Sequence, residues 1–393
     1  MDFCHGIRLG LVGNEFQNRS CKEGIMKRLF ISVILATGIL FSFFGCSDDD
    51  HDSSLQTGQV GWAIGHRSDG TPDGTAAILH TSDGGKTWEE QGNPSFWEGM
   101  TGNDISAVDE WTAWAAVGGD DGGAILHTSD GGFTWDLQPL PAGMTDAVKG
   151  IKGLSQKIAW AVTLTGIVMQ TLDGGETWVI IPHEGITIKQ VNRMDAKGED
   201  IWIADWGSGE KGMIHSPDFG ETWRQETLSD PGPLPGFGPM AVSIVSSRVV
   251  WAATRPAANV YRTMDGGDTW HLDAPDISGP NDLDDICAPN ADMVWAVQNH
   301  SGESGGDIIS VHLEDGKVIS NIMDPTHQYQ YEGVTCFDEK TAWVVGFKAH
   351  GVSQDLPEGV ILHTADGGTN WTNQPIPVND VALWKVSFVG AHR

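Results

Sequence analysis

The chain has 393 residues, 39% of them hydrophobic, which is enough to bury a substantial core. Its formal net charge is −30. Such an acidic surface repels phosphate backbones and excludes a nucleic-acid-binding role. The sequence also contains 17 tryptophans and 51 glycines, a composition typical of chains with many tight turns and a repeated core position.

The first 58 residues differ in composition from the rest. Residues 26–45 begin with Met-Lys-Arg and continue as an uncharged apolar run from Leu29 to Phe44, which is typical of a secretory signal peptide. Cys46 follows directly and resembles the lipidated cysteine of bacterial lipoproteins. We therefore predict a signal peptide over 26–45, lipidation of Cys46 and a polar lipidated tether over 46–58. Residues 1–25 are predicted to be an untranslated upstream region, because Met26 supplies the signal peptide's own start.

These features predict a lipid-anchored protein of the bacterial cell envelope, at the outer membrane or cell surface. An uncleaved anchor helix is the alternative interpretation of the apolar run. Both interpretations place the remainder of the chain outside the inner membrane. The negative net charge makes attachment through a basic patch implausible, so the membrane contact is predicted to run through the anchor alone.

An eight-residue motif recurs along the chain at intervals of 43–52 residues, and its first copy is Thr-Ser-Asp-Gly-Gly-Lys-Thr-Trp at 81–88. The aspartates of the clear copies are Asp83, Asp130, Asp173, Asp218, Asp265 and Asp366. A degenerate copy has Glu314 in place of the aspartate and Ile319 in place of the tryptophan. Recurrence at this period is the signature of a repeat architecture.

Each repeat offers four short strands, which we name A to D in chain order. A tryptophan followed by small apolar residues, as at Trp62 and Trp343, marks strand B, and the eight-residue motif joins C to D. The first repeat lacks strand A, and residues 383–388 at the C-terminus supply a spare one. The sequence therefore predicts an all-β fold, a seven-bladed β-propeller over 59–393 whose N- and C-terminal strands close one blade.

The eight-residue motif resembles the Asp-box, or BNR repeat. Together with the Trp-Ala-Val-Gly strands it resembles the photosystem II assembly factor-like family over 59–393. That resemblance implies a propeller used as a binding scaffold. The arginine-rich surface patch of the family has no counterpart in this acidic chain, so a photosynthetic partner is not implied.

Enzymes with Asp-boxes provide the alternatives. Sialidases need several arginines and an Arg-Ile-Pro signature, and this chain has neither in a matching motif. Asp-box endoglucanases use two propellers, for which the chain is too short. The repeated aspartates cannot all line one site, so they are predicted to hold turns together, with no metal ligated. The repeated histidines His80, His127, His215 and His363 are predicted to share a packing or hydrogen-bond role rather than to bind metal.

A binding site is predicted on the face opposite the boxes, where loops B–C and D–A converge on the central channel. The ligand-binding candidates are aromatic and acidic or histidine residues of these loops: Trp97, Trp206, Asp73, Asp120, Asp121, His300, Glu303, Tyr329 and Tyr331. We find no catalytic constellation and predict no cofactor. The predicted function is that of a non-catalytic, monomeric scaffold for protein or glycan partners in the envelope.

A carbohydrate-active enzyme similar to glycoside hydrolases is the alternative function. Two carboxylates facing each other across the channel mouth at glycosidase spacing would distinguish it. The two cysteines of the repeat region, Cys287 and Cys336, occupy similar places in neighbouring repeats. Because the sequence does not fix their separation, we predict two buried free thiols in preference to a disulfide.

Overall fold

The computed structural model describes the propeller region of the chain. The described residues are 60–68, 74–93, 97–119, 122–228, 238–275, 277, 282–299, 305–314, 317–322, 329–348 and 357–391. All of them belong to the second of two units, Ser53–Arg393. The predicted segments 1–25, 26–45 and 46–58 lie outside the described residues. No helix in the described part is long and apolar enough to cross a membrane.

The described chain forms seven four-stranded antiparallel sheets, the blades, in the predicted repeat order. Blade 1 contains β1 (Gly61–Arg67), β2 (Thr75–Thr81), β3 (Glu89–Gln91) and the C-terminal β28 (Val381–Phe388). Blade 2 contains β4 (Thr101–Ala107), β5 (Ala113–Gly119), β6 (Gly122–Thr128) and β7 (Asp136–Leu137). Blade 3 contains β8 (Val148–Gly153), β9 (Ala159–Thr163), β10 (Val168–Thr171) and β11 (Val179–Ile181).

The remaining blades repeat the same order. Blade 4 contains β12 (Val191–Lys197), β13 (Asp200–Asp205), β14 (Met213–Ser216) and β15 (Arg224–Glu226), with a 3-10 helix (Trp206–Lys211) between β13 and β14. Blade 5 contains β16 (Gly238–Ile244), β17 (Val250–Arg255), β18 (Val260–Thr263) and β19 (His271–Ala274). Blade 6 contains β20 (Asp282–Cys287), β21 (Met293–Asn299), β22 (Gly306–Glu314) and β23 (Lys317–Ile322). Blade 7 contains β24 (Tyr329–Cys336), β25 (Ala342–Lys348), β26 (Gly359–Thr364) and β27 (Thr372–Asn373).

The predicted seven-bladed fold is confirmed, and the ring closes between the two ends of the chain. Strand β28 pairs with β1 from Gly61 opposite Phe388 to Arg67 opposite Val381. The seven A strands contact one another in ring order, from β4 through β24 to β28 and back to β4. Pairing the terminal strands removes two exposed sheet edges and joins the first and last blades.

The core lies between neighbouring blades and is built around the strand B tryptophans. Six of them are fully buried and the seventh, Trp343, nearly so: Trp62, Trp114, Trp160, Trp202, Trp251 and Trp295. Each packs among residues of adjacent blades, as Trp62 does against Ile105 and Ala115. Burial of a large indole at every seam supplies the apolar contact that each sheet face needs.

The repeated histidines lie opposite these tryptophans on strand C and cover their rings. The ring centroids are 4.8 Å apart for Trp62 and His80, and 3.8 Å apart for Trp114 and His127. The same pairing recurs in blades 4 and 7, at 3.8 Å and 4.4 Å. Burial lowers the pKa of His80, His127 and His363, which favours the neutral form of these rings. All four histidines pack on the strand B tryptophans, and His80 and His215 also form hydrogen bonds to neighbouring side chains.

The Asp-boxes hold the C–D turns through one repeated hydrogen-bond pattern. In blade 1, Asp83 Oδ1 accepts from the Thr87 amide at 2.9 Å and Oδ2 accepts from the Thr87 hydroxyl at 2.7 Å. The Thr81 hydroxyl oxygen accepts the Gly85 amide at 2.8 Å. The glycines adopt positive φ, 76° at Gly84 and 86° at Gly85, which explains their presence in the box. The other box aspartates each accept the equivalent backbone amide: Asp130, Asp173, Asp218, Asp265 and Asp366.

The degenerate repeat differs from the others in its strand pairing. In blade 6, strands β22 and β23 pair as far as Glu314 opposite Lys317, so the ladder extends through the position that a box aspartate occupies in the other blades.

The expectation of two free thiols is wrong. Cys287 and Cys336 end the A strands of blades 6 and 7 and form a disulfide, with a Cα–Cα distance of 6.0 Å. Equivalent ends of neighbouring inner strands lie close together around the ring axis. That proximity comes from the closure of the ring and could not be read from the spacing of 49 residues along the chain.

Candidate binding site at the mouth of the ring

Each A strand carries one β-bulge near its beginning. The pairing of every A strand with its B strand skips one residue, at Asn103, Lys149, Asn192, Met240, Asp284, Glu332 and Trp384. We call these seven residues the bulge ring. A bulge leaves its residue out of the ladder and re-aims its side chain, so such residues are common beside binding sites.

The bulge ring lies at the end of the propeller opposite the Asp-boxes. A strands begin at the D–A loops, and the boxes join C to D at the other end of each blade. We call the two ends the mouth face and the box face. The mouth face is the one on which the sequence predicted a site, although the ring residues themselves were not among its candidates.

Charged side chains from four blades converge inside the ring. Burial, together with the nearby cations Arg193 and Lys385, lowers the pKa of Lys149 to about 8, and the charge of Glu332 opposes this shift. These groups lie on blades 3, 4, 1 and 7 and can interact only if they point toward the common axis. The mouth therefore presents cations and carboxyl groups together.

Two carboxyl groups in the mouth have raised pKa values. Burial raises the pKa of Asp284 well above its usual value, and the Glu332 carboxylate raises it further. Burial also raises the pKa of Glu332, against the charge of Arg193. Glu332 Oε1 accepts a hydrogen bond from Asn299 Nδ2 at 2.7 Å. Asp284 Oδ2 is buried and meets no hydrogen-bond partner among the described residues.

A second layer of charges lies next to the ring and joins the blades. Asp285 accepts the Val334 amide at 3.0 Å, contacts Lys385 Nζ and lies 3.7 Å from Arg193 Nε. The Asp285 carboxylate thus joins blades 6, 7 and 1, and Arg193 of blade 4 lies close to it. Because these groups are paired with one another, they support the mouth.

Three of the nine predicted ligand-binding residues lie in the core or in a strand, and not on an exposed loop at the rim of the mouth. Trp97 is buried at 2% exposure and its Nε1 donates to the Ala76 carbonyl at 2.9 Å. Tyr331 is also 2% exposed, in β24 directly before Glu332. These two rings are core residues and cannot stack on a ligand. Tyr329 is partly exposed at the start of the same strand.

Trp206 remains a candidate on the mouth face. It is the first residue of the 3-10 helix, is partly exposed, and has the guanidinium of Arg255 at 5.4 Å from its ring centroid. Arg255 in turn pairs with Asp282 at 2.5 Å, so blades 4, 5 and 6 are linked at this edge of the mouth. The other predicted residues, Asp73, Asp120, Asp121, His300 and Glu303, lie outside the described residues.

The signal that could have located the bulge ring is the polar residue that interrupts five of the seven A strands at a fixed repeat position. Lys149-Gly150, Asp284-Asp285 and Glu332-Gly333 break an otherwise apolar strand. Aligning the A strands as repeats would have placed them in one ring.

A cavity of about 610 Å³ lies on the box face between blades 4 and 5 and is lined in part by His215, Asp200 and Arg224. His215 Nε2 lies 3.2 Å from Asp200 Oδ1, and its Nδ1 accepts from Arg224 at 3.2 Å. Both ring nitrogens are therefore used by neighbours, which makes this cluster a structural network. No group of His, Cys, Asp and Glu within the described part of the chain is arranged to hold a metal ion.

Comparison with known proteins gives the same architecture. The family model described as photosynthesis system II assembly factor YCF48 matches residues 51–208. The photosystem II assembly lipoprotein Ycf48 of Synechococcus sp. (strain CC9902) is 24% identical over 256 residues, which cover 62% of this chain. The chain spans 64% of that relative's length.

Two solved structures share the fold at low sequence identity. One is YCF48 bound to D1 peptide, with a TM-score of 0.56 and 17% identity over 73% of this chain and 86% of that one. The other is YCF48 from Cyanidioschyzon merolae, with a TM-score of 0.53 and 15% identity over 85% of this chain and 97% of that one. At these identities the likeness concerns the fold alone.

Proposed function

We propose that this chain, an Asp-box propeller that resembles the photosystem II assembly factor-like family, binds a segment of a partner protein at the bulge ring. On this proposal it is an assembly scaffold and not a catalyst. It is held in the bacterial envelope by a lipid on Cys46 and acts as a monomer.

The observation that carries the proposal is the convergence of opposite charges at one mouth. Lys149 offers a donor, with Arg193 of the supporting layer beside it, and Asp284 and Glu332 offer carboxyl groups. The buried Oδ2 of Asp284, for which the described residues provide no partner, is left for a group from outside. A peptide segment, with alternating backbone donors and acceptors, suits such a mixed site better than a uniformly charged ligand. The similar propeller of YCF48, whose structure contains a bound D1 peptide, supports this choice.

The envelope location is supported by the disulfide between Cys287 and Cys336, because disulfides persist in oxidising compartments outside the cytoplasm. It is also supported by the signal peptide and lipidation motif predicted around Cys46. Glycans are the second partner class that the sequence suggested, and the partly exposed Trp206 is the aromatic residue that would stack on a sugar.

A carbohydrate-active enzyme is the alternative function, and one observation favours it. A glycosidase needs a carboxylic acid of raised pKa beside a second carboxyl group, and Asp284 and Glu332 share that property. The two residues lie on neighbouring blades, 6 and 7, and not on opposite sides of the mouth.

Site-specific photocrosslinking in the native bacterium tests the proposal. A benzoylphenylalanine at Asn192, in the bulge ring, should crosslink to a defined segment of one envelope protein, identified by mass spectrometry. The same probe at Asn373, on the outer strand of blade 7, is the matched control and should not yield that product.

A synthetic peptide of the crosslinked segment should then bind the purified propeller. The variant Asp284→Asn combined with Glu332→Gln should weaken that binding at least about tenfold, since two hydrogen-bonding groups are altered. Crosslinks to glycan, or polysaccharide hydrolysis that Glu332→Gln abolishes, would refute the scaffold and support the enzyme.

A further inference from the structure

The box face of blades 2 and 3 exposes large apolar side chains close together. Phe133 is 83% exposed, Trp111 is 53% exposed and Leu172 is nearly 60% exposed. We call these three residues the blade 2–3 patch. Leaving so many apolar groups in water is unfavourable unless they are covered by a partner.

The repeat itself shows that Trp111 departs from the pattern. Its carbonyl accepts the amide of the box glycine Gly131 at 2.8 Å. The residues whose carbonyls serve the same purpose in other blades are all charged: Lys157, Glu199, Arg248 and Lys340. The turn therefore does not need an aromatic side chain, so the fold does not explain Trp111.

Phe133 departs from the pattern in the same blade. It occupies the box position that follows the two glycines, and its counterparts in the other boxes are polar: Lys86, Glu176, Glu221, Asp268 and Thr369. Two independent repeat positions of blade 2 thus carry an aromatic residue where the sibling blades carry polar ones. Hydrogen bonding within the box is the same in blade 2 as in blade 1, so Phe133 is not required by the turn.

The three residues lie on the adjoining turns of blades 2 and 3. The ring of Trp111 lies within 4 Å of the position a side chain on Gly131 would take, two residues before Phe133. Gln138 of blade 2 covers Gly175 in the box of blade 3, and Leu172 belongs to that box. Gln156 of blade 3 also donates to Asp109 of blade 2 at 3.0 Å, which fixes the two blades against each other.

The surroundings of the patch are acidic. The neighbouring carboxylates are Asp109, Glu110, Asp130, Asp136, Asp173 and Glu176, with Lys157 as a cation beside them. An apolar centre with a negative rim complements a surface that has an apolar centre and a positive rim. An anionic bilayer or a second copy of this chain, with its net charge of −30, would be repelled.

We propose that the blade 2–3 patch docks a second partner protein whose contacting surface is apolar at its centre and basic at its rim. The patch lies on the box face, and the bulge ring lies on the mouth face. The propeller can then hold two proteins at once, one at each end, which is what a scaffold for assembly requires. This docking surface does not depend on the function proposed for the mouth.

The test uses the purified propeller and two defined peptides with the same Leu-Phe-Leu centre, one flanked by lysines and one flanked by glutamates. The patch variant combines Trp111→Gln with Phe133→Thr, the second copying Thr369 of blade 7 so that folding is preserved. The control variant Met264→Ser removes an exposed apolar residue from the box of blade 5 and copies Ser82 and Ser129.

The lysine-flanked peptide should bind the wild type and the control equally, and the patch variant at least about tenfold more weakly. The glutamate-flanked peptide should not bind any of them. Binding of the propeller to vesicles of phosphatidylcholine, with and without phosphatidylglycerol, is measured in parallel. Sedimentation of the propeller alone measures self-association. Equal peptide binding by wild type and patch variant, patch-dependent vesicle binding without peptide binding, or patch-dependent self-association would each overturn the proposal.

Discussion

Arg224 donates a hydrogen bond from Nη2 to the carbonyl oxygen of Gly266 at 2.6 Å, and this contact joins blade 4 to the Asp-box of blade 5. Elsewhere a glutamine makes the same link. Gln91 Nε2 donates to the Gly131 carbonyl at 2.9 Å, and Gln374 Nε2 donates to the Gly84 carbonyl at 3.0 Å. Blade 4 has Glu226 at the glutamine position, which cannot donate, so Arg224 takes over the link and pairs with that carboxylate.

This relationship predicts that Arg224→Ala lowers the free energy of unfolding by about 1–2 kcal/mol, because the Gly266 carbonyl and Glu226 both lose their partner. Urea denaturation gives the measurement. The double variant Arg224→Thr with Glu226→Gln, which copies Thr372 and Gln374 of blade 7, should recover most of the loss. A double variant as unstable as the single one would show that the two links are not equivalent.

The Asp-boxes predict a specific loss of stability in acid. The hydroxyl and amide of Thr177 lower the pKa of Asp173 to about 2, whereas an unfolded aspartate has a pKa near 3.8. A depressed pKa stabilises the fold above about pH 4, and that contribution is lost as the pH falls toward 2. Asp173→Asn should therefore flatten the dependence of the melting temperature on pH between 5 and 2. Asp136→Asn, an exposed strand residue outside the box, is the control and should leave the slope unchanged.

The buried pair of Lys385 and Asp285 predicts a gain of stability as the pH rises above about 7. Burial lowers the pKa of Lys385 from 10.5 to about 7, with Arg193 adding to the effect and Asp285 opposing it. Between about pH 7 and 10 the unfolded chain therefore binds more protons at this lysine than the folded chain, so stability should rise with pH. The slope from this group is at most about 1.4 kcal/mol per pH unit.

Lys385→Met keeps the length of the side chain and removes its titration. Urea denaturation at several pH values from 6.5 to 9.5 should show a smaller slope for this variant than for the wild type. Lys157→Met, at an exposed turn, is the control and should keep the wild-type slope. Identical slopes for all three proteins would mean that Lys385 stays protonated through this range.

The disulfide between blades 6 and 7 predicts a further stabilisation. It closes a segment of 49 residues, for which the loss of chain entropy in the unfolded state corresponds to about 4 kcal/mol. Cys287→Ala combined with Cys336→Ala should lower the urea midpoint, and reducing agent should destabilise the wild type but not the variant. Alkylation of both thiols in the unreduced, denatured wild type would contradict the bond.

The sequence by itself determined the number of blades, the position of the boxes and the closure by residues 383–388. It could do so because each repeat carries its own local signals: the glycines at positive φ, the aspartate that accepts the turn amides, and the tryptophan at each seam. These are short-range requirements, and they recur in repeats of about 47 residues.

Only the tertiary structure decided which residues of different blades meet. Cys287 and Cys336, and likewise Asp284, Glu332 and Arg193, are far apart in the sequence and come together because seven inner strands close around one axis. Trp97 and Tyr331 looked like loop aromatics in the sequence, yet the packing of their blades buries them. Burial and the distance between blades depend on closure of the ring, and local sequence patterns do not contain that information.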